Sequence, residues 1–199
     1  MRHALLAATV AVAMLAGCRQ SADSPAANAV ASKTAQVLPQ TDVDAATDVR
    51  GMQSMDAMKA SMKGKPMPHD AAMQRMHERH EGMERIGKTF KATGRTLKSG
   101  SPDLALVLSS AATIAQLSVK TMSWFPAGTG PDIGKTGAKP DIWQKPDDFV
   151  VRDKAFQQAA AVFNAAAKSG DMTAIQARFG DLGKTCKACH DSYRNQMHH

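Results

Sequence analysis

Apolar residues in the second half of the chain recur at alternating steps of four and three, the spacing of one face of an α-helix. Across about 70 to 98, Met76, His80, Met83, Gly87, Phe90, Gly94 and Leu97 draw one such stripe, which Ser99-Gly100 ends. Ser101-Pro102-Asp103 then reads as a helix start. Leu104, Val107, Ala111, Ile114 and Leu117 carry the next face, which stops before Pro126. Phe149, Phe156 and Phe163 stand seven apart with Ala159, Ala160, Ala166 and Ala167 between them, and Ser169-Gly170 closes this third helix. Asp171 is placed to cap a fourth, striped by Ile175, Phe179, Leu182, Cys186, Cys189 and Tyr193. Four amphipathic helices with heptad-like stripes predict an all-α fold, a four-helix bundle.

The first half has a different texture. Arg2, the apolar run from Leu5 to Leu15 and the small residues Ala16 and Gly17 make residues 1–17 an export signal, the run being too short to span a bilayer. Leu15-Ala16-Gly17-Cys18 resembles the lipobox of bacterial lipoproteins, which implies cleavage before Cys18 and lipid on its sulfur. The competing reading is ordinary cleavage nearby, leaving Cys18 without a role. Residues 18–50 are rich in Ala, Ser, Thr and Asp and cannot bury enough apolar surface to offset their ordering entropy, so they read as a flexible tether. A methionine-rich lead-in over 51–69 is broken by Lys63-Gly64-Lys65-Pro66-Met67-Pro68, and residues 70–199 form the helical domain.

Charge changes this picture little. The 25 basic and 18 acidic residues give net +7 with His neutral, but they are dispersed, which argues against a nucleic-acid partner. Methionine changes it more. Met52, Met55, Met58, Met62, Met67, Met73 and Met76, with His69, His77 and His80 nearby, make a soft-ligand-rich stretch of the kind that can bind Cu(I). The plainer reading is a flexible lead-in and an extended helix using Met as adaptable apolar surface.

The most specific chemistry lies near residue 190. Cys186-Lys187-Ala188-Cys189-His190 is C-x-x-C-H, the attachment signature of a c-type haem. Two thiols three apart add across the haem vinyl groups, and the next residue offers an imidazole to the iron. The motif predicts one covalent haem c, set between helices because both cysteines lie on the apolar seam; a dithiol redox pair, half of a zinc site or a chance match compete with it, without a second Cys pair or a thioredoxin-like βαβ pattern to support them. With Cys18 lipidated, no cysteine is left for a disulfide.

Three blocks make the chain resemble the class II cytochromes c, the cytochrome c′ family, over roughly 70 to 194. They are Arg79-x-x-x-Met83 with Ile86 and Phe90; Phe125-Pro126-Ala127-Gly128-Thr129-Gly130 with Ala138-Lys139-Pro140-Asp141-Ile142-Trp143; and Phe179 through Arg194 around the haem motif. The resemblance implies a left-handed antiparallel bundle with His190 as proximal ligand. It also implies that Arg79 pairs with a haem propionate and that Arg194 lies beside the proximal imidazole. The position four beyond Arg79 is often Leu in five-coordinate members and Met in low-spin ones; here it is Met83.

The resulting expectation is an electron carrier in the cell envelope, its iron held by His190 and Met83, lipid-anchored on the periplasmic side of a bacterial membrane and performing no substrate chemistry. Redox proteins of unspecified identity would be its partners, and a homodimer is allowed. Two alternatives stand beside it: a five-coordinate protein binding nitric oxide or carbon monoxide, and a copper-handling protein using the Met-rich segment.

Overall fold

The computed structural model describes residues 55–195. Residues 55–63 form a first helix, α1. Then come α2 (His69–Leu97), α3 (Leu104–Ser118), a 3₁₀ turn (Thr121–Trp124), the short α4 (Asp141–Gln144), α5 (Pro146–Ser169) and α6 (Met172–Tyr193). The chain from 64 to 68 is not helical, where Pro66 and Pro68 interrupt. No strand occurs among the described residues; a lone bridge joins Ala138 to Arg194.

The four long helices make the bundle, and their ends have local causes. Asp103 accepts a hydrogen bond from the Leu106 amide at 2.9 Å, and Asp171 accepts from Thr173 and Ala174, satisfying donors left over at the starts of α3 and α6. α5 ends at Gly170, whose φ of 72° is open to glycine at little cost. α2 packs on α3, α3 on α5 and α5 on α6, while the α2 and α6 backbones approach less closely. Side chains bridge that wider seam.

The core contains the three phenylalanines of α5, with Phe163 fully buried, together with Ile114, Ile142, Ile175 and Leu182. Burying each such side chain contributes about 1.5–3 kcal/mol. The stripe on α2 is rotated from its predicted course. Ala72, Met76, Arg79, Ile86, Thr93 and Leu97 are buried, His80 is exposed, and Met83 and Phe90 are half-buried. The reason is Arg79, a cation outside the predicted stripe, which the loop after α3 supplies with acceptors. On α3, Ser110 and Ser118 take buried positions and Leu117 is only partly covered.

The Met-rich lead-in follows the plainer reading of its methionines as apolar surface, and does so as a packed helix. In α1, Met62 is 3% exposed and Met55 and Met58 pack against the core. The Ala127 amide donates to the Ser61 carbonyl at 3.0 Å, and Lys59 pairs with both Asp56 and Asp147. Pro66 sits so close to Gly128, at φ 75°, that a Cβ there would lie 2.8 Å from its own. These thioethers serve as packing surface, a use suited to the flexible methionine side chain.

Candidate haem site

α6 carries the C-x-x-C-H motif on its last turns. Cys186 and Cys189 are half-buried against the core, neither is in a disulfide, and His190 is more exposed. Burial pushes both thiols up, Cys189 to about 12 with nearby Asp153 adding to the effect, so both are held protonated. That environment penalises a thiolate but not an uncharged thioether, which suits the thioether product of attachment to vinyl groups. Burial chiefly, and Arg194 next, hold the His190 imidazole below its ordinary range, favouring the neutral form that ligates metals.

Cys186 and Cys189 pack against the core from α6, whose backbone lies close to α5 and less close to α2. Across the α2–α6 seam Phe90 stacks on Phe179, and a Cβ on Gly183 would lie 3.1 Å from Phe90. Gly87 presents bare backbone with no atom within 4 Å of a would-be Cβ. Met83, one turn before Gly87 on α2, is half-buried against the same core.

Arg79 is 5% exposed. Its guanidinium donates to the Trp124 carbonyl, to both the hydroxyl and the carbonyl of Thr129, and to the Thr136 hydroxyl, at 3.0 to 3.4 Å. It also lies 4.9 Å from the centre of the Phe125 ring. Burial lowers its pKa to about 10. These bonds tie α2 to the loop over 125–136. Trp143 secures the same loop by donating its indole N–H to the Phe125 and Pro126 carbonyls. Arg194 is exposed, its amide donating to the His190 carbonyl at 3.0 Å. Cys18 lies outside the described residues.

Sequence reasoning missed the polar residues behind the motif. Asp153 on α5 is 5% exposed and bonded to Thr121 and Gln157. Asp148 and Arg152 join α5 to α6. Asp148-x-x-x-Arg152 carries a legible i,i+4 charge signal, but its link to α6 is tertiary. Among the described residues no cluster of three His, Cys, Asp or Glu side chains is placed to hold a bare metal ion.

The cytochrome C′ family model matches residues 74–194. Cytochrome c′ of Alcaligenes xylosoxydans xylosoxydans is 42% identical over 79 residues, which cover 39% of this chain and 62% of that protein. A ferrous variant of cytochrome c′ from Alcaligenes xylosoxidans with bound NO superposes with TM-score 0.58 at 28% identity, covering 63% of this chain and 97% of that one. A cytochrome c′ described with ligand-controlled dimer dissociation gives TM-score 0.59 at 27% identity and the same coverage. These findings overturn the expected His190/Met83-ligated electron carrier: an iron closed on both sides by protein must give up a ligand before nitric oxide can bind, and the relatives described above are cytochromes c′, one of them holding NO. Family members bind one covalent c-type haem, and with the helical bundle and the matched segment both in place, this chain belongs to the cytochrome c′ family.

Proposed function

We propose that the chain is a gas-binding cytochrome c′ in which Cys186 and Cys189 hold the haem, His190 is its protein axial ligand, and the face toward Met83 and Gly87 admits nitric oxide or carbon monoxide. The observation that carries this reading is the pair of half-buried motif cysteines on α6, in a fold shared with an NO-bound relative. When bound, the haem supplies an iron whose open side takes a small diatomic ligand. The chain's own residues do the rest. Phe90, Phe179 and Met83 offer an apolar wall that keeps water away, and Arg79 fixes the loop over one end of α2 while offering positive charge toward a propionate. Arg194, beside His190, favours its neutral imidazole. No residue is assigned to turnover of a substrate.

Export to the periplasmic side of a bacterial membrane, with lipid on Cys18, is part of the proposal and rests on residues 1–18. A homodimer is also proposed. Leu104, Leu108, Ala112 and Ala115 share a stripe on α3 that Val119, just past its end, continues without charge, and Leu104, Leu108 and Val119 are 47%, 42% and 66% exposed.

The test is an absorption spectrum of ferric and ferrous protein matured with its haem, followed by titration with nitric oxide and carbon monoxide. A high-spin ferric spectrum and saturable binding of both gases are expected. A low-spin spectrum with a Met-to-iron charge-transfer band, and no gas binding, would reverse the assignment.

A further inference from the structure

α5 starts where α6 ends, so the first turns of one pack beside the haem-attachment turn of the other. Arg152 on α5 donates from Nε to Asp148 Oδ2 at 2.7 Å and from Nη1 to the Ala188 carbonyl at 3.0 Å. Ala188 stands between the two motif cysteines and immediately before Cys189. A carbonyl has two lone pairs, so one in a helix can take this second donor without losing its ladder bond. Tyr193 donates its hydroxyl to the same Asp148 oxygen at 2.5 Å, and the Arg152 guanidinium stands 6.0 Å from the Tyr193 ring centre. Tyr193 is itself 5% exposed, edge-on to Phe149, and its carbonyl accepts from the Lys139 amide at 3.0 Å. The turn is therefore held at Ala188 and at Tyr193, two residues before His190 and three after it.

The energetic value of the ion pair does not account for this arrangement. Arg152 and Asp148 side chains are 34% and 52% exposed. An exposed i,i+4 pair screened by water contributes little. What the pair adds is direction: a planar guanidinium presents two donors in a fixed fork, which a lysine cannot do. Groups behind a metal ligand commonly set its orientation and tune the metal.

We propose that Arg152, with Asp148 and Tyr193, is a positioning residue for the proximal side: it locks the Cys186–His190 turn against α5 and so sets the angle at which the His190 imidazole meets the iron. This rests on His190 being the axial ligand in the function proposed above. It adds what holds that ligand, from a different helix.

The experiment uses haem-loaded protein. Arg152→Met keeps the aliphatic stem and removes every donor; Arg178→Gln, which disrupts a comparable exposed pair with Asp181 elsewhere on α6, is the control. Resonance Raman of the ferrous protein reads the iron–imidazole stretch, and flow kinetics read carbon monoxide dissociation. Arg152→Met is expected to shift and broaden the stretch and to change the dissociation rate by about tenfold, the lower end of what such supporting groups contribute. Covalent haem content should stay at the wild-type level, and Arg178→Gln should match wild type in all three. If Arg152→Met is indistinguishable from Arg178→Gln, the inference is wrong. If Arg152→Met does not accumulate with haem, Tyr193→Phe, which keeps the buried ring and loses only the hydroxyl, makes the same test with the same expected direction. Wild type lacking an iron–imidazole stretch would instead sink the ligand assignment of His190 and this inference with it, a result visible without any variant.

Discussion

Phe90 of α2 and Phe179 of α6 stack with ring centroids 4.2 Å apart and planes inclined by 16°, while Phe179 meets Phe163 of α5 at 5.6 Å. These rings join two bundle helices whose backbones do not pack closely on each other. Phe90→Ala and Phe179→Ala should each destabilise the protein by about 2–3 kcal/mol, below the full cost for a buried Phe because both are half-exposed. The double variant should fall short of the sum by about 1 kcal/mol, since either deletion removes the shared stack. Urea unfolding of the four proteins reads that coupling, and strict additivity would show that the stack has no energetic content of its own.

In the function proposed above Met83 is wall and not ligand. Met83→Leu conserves volume and should cost less than about 1.5 kcal/mol. The ferric spectrum should stay high spin and carbon monoxide affinity should change by only a few fold. A conversion from low to high spin on substitution would restore sulfur ligation.

Asp153 makes stability depend on pH. The Thr121 hydroxyl lies 2.7 Å from the Ser118 carbonyl and also against Asp153 Oδ1; its one proton can serve only one of them. A protonated Asp153 supplies the missing hydrogen, and burial raises its pKa above the ordinary 3.8. A carboxyl with a raised folded-state pKa contributes fully at pH below 3.8, and that contribution is lost as pH rises through the folded value. Asp153→Asn keeps an acceptor and a donor without the charge. Its melting temperature should exceed wild type by about 3 °C or more at pH 8, with the gap closing toward pH 4. Parallel curves across that range would mean that Asp153 is ionised throughout.

The outward stripe of α3 offers Leu108 at its centre. Leu108→Glu places a charge where a partner's apolar surface would sit, and should convert a dimer to a monomer in sedimentation experiments while leaving helix content unchanged. If wild type is already monomeric across micromolar concentrations, the exposed leucines have another use.

Much of this protein is local chemistry and was legible in the residues. Helix existence follows from spacing, because one face must leave water wherever apolar groups recur at 3.6. Asp103 and Asp171 cap because their short oxygens reach amides two or three residues on, and Gly170 ends α5 because it bears no side chain. C-x-x-C-H declares its cofactor by itself. What the tertiary structure decided are the matters that depend on distant segments. Arg79 could be buried only because Thr129, Thr136 and Trp124, 45 to 57 residues away, bring acceptors to it. That rotated the face of α2 and left His80 in water. The methionines of α1 turned from candidate ligands into core because the loop around Ala127 and Gly128 gave them a surface to cover. Arg152 reached Ala188, 36 positions on, because antiparallel helices bring the start of one beside the end of the next. Spacing along a chain determines which faces are apolar; which polar group is drawn inside depends on what folding places opposite it.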